Sequence, residues 1–503
     1  MKVSTLNYLE ETVSKYPNKI AIEDENGSIT FCELKESAIK IAVTITKYVN
    51  DFNKPIGVLL PKSKESIVSF LGVNYSGNFY IPLDLKSPNE RLSKIVNKLS
   101  PSSIITNLEG KQKLLDLGFF GNIIILKESI KMDVYNEDIK RISKISNLKI
   151  DTDPIYSIFT SGSTGTPKGV LISYKGVIDY IEWAKETYGI NEKEIIGSQA
   201  PFYFDNSTLD IYLMISTGAK LVIVPEEKYM FPIELIKYIN EKQINFVFWV
   251  PSVLVNVANF RALETSLPKT LKKILFAGEV MPNKHLNYWR KYFPNILYSN
   301  LYGPTEITVD CTYYIVDRDF NDDESLPIGR ACKNSGILIL NNKDQQVASN
   351  EIGELCVRGS SLAFGYYKDP EKTSEVFVQN PLNKDYPEII YRTGDLVQLN
   401  ERNEIIYLGR KDSQIKHMGY RIELGEIENA ILGIDLVDNT CVIYDDIKKQ
   451  IVAFYVGNIK HSLIRRNLMV RLPKYMIPTK WNKLESFPLN ANGKINRKKL
   501  KDF

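Results

Sequence analysis

The sequence predicts an α/β fold: a large N-terminal domain of layered, mostly parallel sheets with a β-rich subregion, and a small α+β domain at the C-terminus. Three observations carry that reading. Short β-rich runs alternate with amphipathic stretches as far as Gly278. Beyond about residue 326 the texture changes to short strands and turns. Beyond about Arg410 a compact helix-and-hairpin pattern begins.

The elements follow in order. Val3, Leu6, Leu9 and Val13 recur at three-to-four spacing, so residues 2–16 form an amphipathic helix. Further helices are predicted at Thr30–Val49 and Ser63–Ser76. Between and after them lie the strands IGVLL (56–60), FYIPL (79–83), SIIT (103–106) and NIIIL (122–126). KLVIV (220–224), NFVFWV (245–250) and KKILFAG (272–278) continue the pattern, which is that of a parallel sheet covered on both faces. GILIL, GELCVRG and IIYLGR read as an antiparallel subregion. IELGEIENAIL then reads as a helix, and CVIYD with QIVAFYV as a hairpin-like pair. The polar stretch Arg410–Lys416 marks the boundary before them. No internal repeat or low-complexity tract is evident.

Composition excludes several classes. The chain has 503 residues, 44% hydrophobic, with 64 Lys+Arg against 60 Asp+Glu. That is an ordinary globular balance on a chain long enough for two or more packed units. A net charge of +4 gives no global reason to expect nucleic acid or an anionic membrane as partner. Cys32, Cys311, Cys332, Cys356 and Cys441 are odd in number and scattered, which fits a reducing compartment. His285, His417 and His461 lie far apart, so a multi-histidine metal site is not expected. Glu10 and Glu11 interrupt the N-terminus where a signal peptide needs an apolar run, and no stretch reaches the roughly 18 apolar residues of a membrane span. The expectation is a cytoplasmic protein with no membrane insertion.

The strongest chemical signal is SIFTSGSTGTPKGVLIS (157–173). The apolar Ile155, Ile158 and Phe159 lead into Thr160, Ser161, Gly162, Ser163, Thr164, Gly165, Thr166, Pro167, Lys168 and Gly169. Glycines let backbone N–H groups approach phosphate oxygens, hydroxyls donate to them, and a lysine adds positive charge. The Walker A pattern is not met, because Pro167 stands where its second glycine belongs. A plain surface turn is the competing reading.

Other strings are weaker alone. In NLYGPTE (300–306), Asn300, Tyr302, Thr305 and Glu306 surround Gly303-Pro304, a turn able to stack a purine and offer a carboxylate to Mg2+. A structural turn explains it equally well. In YRTGDL (391–396), Asp395 on a glycine turn could accept from both ribose hydroxyls, or simply be solvated. Residues 409–428, with Arg410, Asp412, Lys416 and Arg421, read alone as a solvated face opening a helix. In NANGKINRKKL (490–500), Lys494 follows a tight-turn Asn-Gly.

In this order and at these separations, the strings resemble the adenylate-forming enzymes: acyl-CoA synthetases, firefly-luciferase-like proteins and the amino-acid adenylation domains of nonribosomal peptide synthetases. TFCEL (30–34) and FLGVNYSGNFYIPLDLKSPNERL (70–92) also match, so the resemblance spans nearly the whole chain. The most similar subset activates amino acids and includes the D-alanine–D-alanyl carrier protein ligases. The resemblance implies a mobile small domain hinged at Asp412, hence domains 1–411 and 412–503. It implies ATP and Mg2+, with the 161–169 loop and Thr160 at the phosphates, and with Gly278 and Glu279 also lining the nucleotide. Tyr302 and Gly303 would lie at adenine, Asn300 at its amino group, and Thr305 at the α-phosphate. Glu306 would hold Mg2+, Asp395 and Arg410 the ribose. Lys494 would bridge the substrate carboxylate and α-phosphate, making Lys494, Thr305 and Lys168 the catalytic set.

APFYFDNSTLDIY (200–212) resembles the pocket motif of the amino-acid-activating members, with Asp205 where an aspartate pairs with the substrate ammonium. A buried carboxylate selects a cationic amine over a neutral acid. A strand-end aspartate capping a turn is the alternative. Carried over by position, the pocket comprises Asn206, Leu209, Phe248, Leu275, Ala277, Leu301, Val309 and Asp310. Its bulky lining favours alanine, serine or glycine. Ala277 departs from the cysteine typical of the D-alanine enzymes, which leaves stereoselectivity open. No carrier domain follows Lys494, so the expected acceptor is the phosphopantetheine thiol of a separate carrier protein. The alternative is an acyl- or aryl-CoA synthetase, which Asp205 disfavours.

Overall fold

The computed structural model describes residues 2–162, 166–411, 414–488, 495 and 497–500. The chain divides into two compact units. One comprises Met1–Leu85, Pro101–Ile158 and Val170–Gly409; the other comprises Lys86–Ser100, Phe159–Gly169 and Arg410–Phe503.

The first unit is built on two large sheets. In the nine-stranded sheet, Leu297–Tyr302, Lys273–Phe276, Phe246–Trp249, Ile195–Ser198, Lys220–Ile223 and Ile20–Asp24 run parallel in that spatial order. The edges Thr312–Ile315, Arg330–Ala331 and Gly27–Thr30 are antiparallel. The seven-stranded sheet centres on Phe79–Leu83, Pro55–Leu59 and Ser103–Thr106, flanked by Pro154–Thr160 and Asn122–Ile125. Phe79–Leu83 is a fully buried apolar run, and Ser103–Thr106 buries Ile104 and Ile105 between two buried hydroxyl residues, as sheets covered on both faces favour.

Local chemistry fixes the helices that cover them. Ser4 accepts from the Leu6 amide and Asn7 answers it, starting helix Thr5–Lys15. Thr30 and Glu33 form the same reciprocal cap for Phe31–Ile45, whose Leu34, Ala38, Ile41, Ala42 and Ile45 are buried on one face. A five-stranded antiparallel subregion follows, with Gly353–Gly359 between Ser335–Leu340 and Ile389–Leu399.

Here the structure corrects the sequence reading of Asp395. It lies within the strand Ile389–Leu399, not on a free turn. Gly394, at φ +72°, absorbs a register shift in the pairing with Gly353–Gly359 and keeps the strand continuous.

The second unit pairs Val437–Asp445 with Gln450–Gly457 antiparallel and adds Lys480–Lys483 in parallel. Helices Leu424–Leu432 and His461–Leu468 bury Ile427, Ile431, Ile464 and Leu468 against them. Residues 409–428 are not simply a solvated helix-opening face. Gln414–His417 and Tyr420–Glu423 form an antiparallel pair, and the helix begins only at Leu424. Pairing of Gln414 with Glu423 through His417 with Tyr420, not a local pattern, makes this stretch two short strands. Asp412 and Lys494 lie outside the described residues, as do Ser163, Thr164 and Gly165. No described helix is long and apolar enough to cross a membrane.

Candidate functional site

Within the first unit, the parallel strand Leu297–Tyr302 delivers Asn300, Leu301 and Tyr302 to its C-terminal end, where open α/β sheets place ligands. Asn300 is buried and donates through Nδ2 to the Pro327 carbonyl at 2.8 Å. The Tyr302 hydroxyl donates to Asp395 Oδ2. Burial and the Asp395 charge hold that phenol well above its ordinary pKa, so it remains a donor. The Asp395 amide donates to Thr393 Oγ1 at 3.0 Å. Two residues expected at one nucleoside are thereby joined directly.

The turn after Tyr302 is tightly specified. A side chain at Gly303 would meet the Val309 carbonyl at 2.3 Å. Thr305–Ile307 form one 3-10 turn, and Thr308 and Val309 follow at φ +58° and +75°. Left-handed backbone at consecutive β-branched residues is costly and concentrates at functional sites. Surrounding bonds hold it: Thr308 Oγ1 donates to the Ser361 carbonyl at 2.7 Å and the Cys311 amide to the Tyr302 carbonyl at 2.8 Å.

Glu306 is 0% exposed and accepts from the Tyr366 hydroxyl at 2.7 Å. No group of three or more His, Cys, Asp and Glu able to enclose a metal occurs among the described residues. A lone carboxylate does not make a resident metal cage. It does fit Mg2+ that arrives on nucleotide phosphates, since such ions take one or two carboxylates and keep waters and phosphate ligands.

The apolar residues expected to line the amino-acid pocket lie in the main hydrophobic core of the first unit. Leu209, Phe248, Leu275, Ala277, Leu301 and Val309 all belong to it and are buried. Each large member contributes roughly 1.5–3 kcal/mol by burial. Asp205 stands immediately before helix Asn206–Thr217, only 9% exposed, and its side chain does not cap that helix. Its charge acts on Tyr156, another member of the cluster. Asp310 is buried and accepts from the Tyr180 hydroxyl at 2.6 Å. Glu279 accepts from the Ser252 amide at 2.9 Å, at the start of helix Pro251–Asn259. Gly278 precedes it at φ +92°.

In the second unit, Ser161 Oγ donates to the Arg421 carbonyl at 2.8 Å and accepts from the Glu423 amide at 3.2 Å. Lys168 Nζ lies 3.9 Å from Glu423 Oε1. The glycine-rich segment is thus engaged by strand Tyr420–Glu423. Gly162 packs its Cα against the Thr166 carbonyl, where a Cβ would stand at 2.1 Å. Arg410 ends the strand Ile405–Arg410. Thr160 ends the strand Pro154–Thr160, and its buried hydroxyl has no partner among the described residues.

Sequence reasoning did not find Tyr366, Tyr180 or Glu423. They meet their partners across 60, 130 and 262 positions, and no local pattern encodes such pairs.

Comparison with known proteins identifies the family. The profile described as "AMP-binding enzyme" matches residues 9–367. Zwittermicin A synthase ZmaJ of Bacillus cereus is 32% identical over 501 residues, covering 98% of this chain and 93% of that protein. Gramicidin S synthase 1 of Brevibacillus brevis is also 32% identical over 500 residues, but the chain spans only 44% of its length. Among solved structures, the Vibrio cholerae adenylation domain AlmE, in complex with glycyl-adenosine-5'-phosphate, shares the fold with a TM-score of 0.85 at 22% identity, covering 100% of this chain and 98% of that one. With a profile match over most of its length and a relative matched nearly end to end, the chain belongs to the AMP-binding enzymes of the adenylate-forming superfamily.

Proposed function

We propose that the protein activates a small amino acid with ATP and passes the aminoacyl group to the phosphopantetheine thiol of a carrier protein. The observation that carries the reading is Asp205, a nearly buried carboxylate at the head of a helix whose next turn enters a tightly filled apolar cluster. A carboxylate in that setting favours an ammonium and rejects a neutral acid. The bulk of Phe248 and the leucines favours a short substrate side chain: alanine, serine or glycine.

The chemistry needs no general base. An amino-acid carboxylate is ionised at neutral pH and attacks the α-phosphorus directly. The new P–O bond forms as the bond to the β-phosphate breaks and pyrophosphate leaves. The barrier is mainly charge repulsion and orientation, so donors and cations placed on developing charge lower it. Thr305 would donate to the α-phosphate, and Tyr302 with Asp395 would hold the nucleoside. Lys168 and the hydroxyls of its segment form a phosphate-binding loop, and Lys494 is assigned to the carboxylate by resemblance. Glu306 would hold Mg2+, which when bound offsets phosphate charge. In the second step the thiolate forms a thioester and AMP leaves. AlmE holds a glycyl adenylate, a ligand of the class proposed here.

The test is amino-acid-dependent ATP–pyrophosphate exchange with both enantiomers of alanine and serine, glycine, proline, a benzoate and a medium-chain fatty acid. Exchange with a small amino acid supports the reading. Exchange only with the benzoate or fatty acid overturns it and favours acyl- or aryl-CoA synthesis.

A further inference from the structure

Glu306 belongs to a turn that a second chain segment laces in place. Thr308 Oγ1 donates to the Ser361 carbonyl at 2.7 Å, the Ala363 amide to the Glu306 carbonyl at 2.9 Å, and the Tyr366 hydroxyl to Glu306 Oε1 at 2.7 Å. The same segment is fastened along its other edge. The Phe364 amide donates to the Leu171 carbonyl at 2.9 Å, and Gly365 and Tyr366 pair antiparallel with Leu171 and Val170. Leu171 and Val170 lie in strand Lys168–Ser173, into which the glycine-rich segment runs.

Of these bonds, only that of Tyr366 reaches the Glu306 carboxylate; the others hold main chain. Tyr366 is itself held firmly. Its backbone is set by the strand register, and its amide donates to Thr373 Oγ1 at 2.9 Å, in helix Pro370–Val376. Its ring meets Phe377 edge-on, with centroids 6.2 Å apart. Tyr366 is buried, and Glu306 is 0% exposed. A hydroxyl so anchored cannot follow a carboxylate that turns, so the bond fixes which way the carboxylate faces. Carboxylates that ligate metals are commonly oriented by such a hydrogen bond, and its loss typically weakens metal affinity.

We infer that Tyr366 is a positioning residue that orients the Glu306 carboxylate for Mg2+ arriving on the nucleotide phosphates. Residues 361–366 thereby tie that carboxylate to the strand that continues the glycine-rich segment. The metal role of Glu306 rests on the proposed function; the bonds that hold it do not. A bond that served stability alone would leave the metal dependence of nucleotide binding untouched.

Tyr366→Phe and Glu306→Gln test the role in the full chain. Tyr366→Phe keeps the ring against Phe377 and removes only the donor. Calorimetric titration with α,β-methylene-ATP, an analogue that cannot release pyrophosphate, gives the nucleotide Kd in Mg2+ and in EDTA. The ratio of the two values measures the contribution of the metal. Tyr366→Phe should cut that ratio about tenfold or more, through weaker binding in Mg2+, with the Kd in EDTA unchanged. Glu306→Gln should cut it as well. In ATP–pyrophosphate exchange, Tyr366→Phe should raise the Mg2+ requirement and leave the amino-acid KM unchanged. An unaltered ratio in Tyr366→Phe beside a reduced one in Glu306→Gln overturns the positioning role and spares the reading of Glu306. Equal weakening of Tyr366→Phe in Mg2+ and in EDTA also overturns it, since a general loss of structure has that effect. An unaltered ratio in both variants overturns the metal role of Glu306, and the positioning role with it.

Discussion

The Tyr302 hydroxyl donates to the Asp395 carboxylate across 93 positions of sequence, tying the end of a parallel strand to an antiparallel one. Tyr302 also packs its ring into the apolar cluster of the β-rich subregion, 6.1 Å from Tyr407. One side chain thus serves as core and as donor. Tyr302→Phe keeps the ring and removes this donor from a carboxylate only 3% exposed. Losing a partner at a buried acceptor costs about 1–3 kcal/mol. Urea unfolding should show that loss, together with a raised ATP KM. Unchanged stability would mean that the bond contributes nothing in solution.

Lys149 gives a prediction of opposite sign. It is buried, its Nζ has no hydrogen-bond partner among the described residues, and it sits 4.7 Å from the centre of the Tyr174 ring. Desolvation, the largest influence, lowers its pKa to about 8, with Asp153 opposing. A folded value below the unfolded one means that the unfolded chain binds more protons between about 8 and 10.5. Stability therefore rises with pH across that window. Lys149→Met should raise stability at neutral pH by about 1–3 kcal/mol and remove its share of the rise. Lys62 shifts in the same direction, so the comparison is wild type minus variant at each pH. A variant less stable than wild type at pH 7 would show that the contact with Tyr174 outweighs desolvation.

How much of this was legible in sequence depended on the range of the interaction. Phe79–Leu83, Ser103–Thr106 and Gly353–Gly359 were readable residue for residue, because each is a β-rich run bounded by turn formers. The helix caps at Ser4 and Thr30 are equally local. Asp395 was misplaced because Gly394 ordinarily signals a turn, and only the partner strand shows that the chain continues through it. The pocket cluster was assembled by resemblance, not by periodicity. The pairs Tyr366–Glu306 and Tyr180–Asp310 had no signature at all, since a tyrosine looks the same beside a carboxylate as in solvent.

Gly303 is required by approach, not by dihedral freedom. Its missing side chain leaves room for the Val309 carbonyl and the Asp310 Cα, which a methyl would meet at 2.3 and 2.5 Å. Both contacts are backbone, so nothing nearby can rotate away. Gly303→Ala should cost about 1–3 kcal/mol, or more if the strained Thr308–Val309 backbone shifts as one piece. Thermal unfolding gives the cost. The amino-acid KM should rise too, because Val309 and Asp310 are the residues displaced. An alanine variant as stable as wild type would show that the turn has slack.

Asp205 and Asp310 are both buried acids of the expected pocket, yet their surroundings differ. Asp310 already accepts from Tyr180 at 2.6 Å, a bond that Asn retains through its amide oxygen. Asp205 does not cap the helix it precedes, and its charge acts on Tyr156 within the apolar cluster. Removing one partner of a buried charge pair costs about 3–5 kcal/mol. Asp205→Asn should therefore lower kcat/KM for the amino acid by at least about 100-fold, the equivalent of roughly 3 kcal/mol. Asp310→Asn should keep most exchange with alanine and alter the ratio between serine and alanine, because it changes the charge near the side chain and leaves the ammonium site intact. Steady-state exchange with both substrates separates the two. If Asp310→Asn abolishes exchange and Asp205→Asn spares it, the ammonium is bound at Asp310, and the pocket is occupied in the opposite sense.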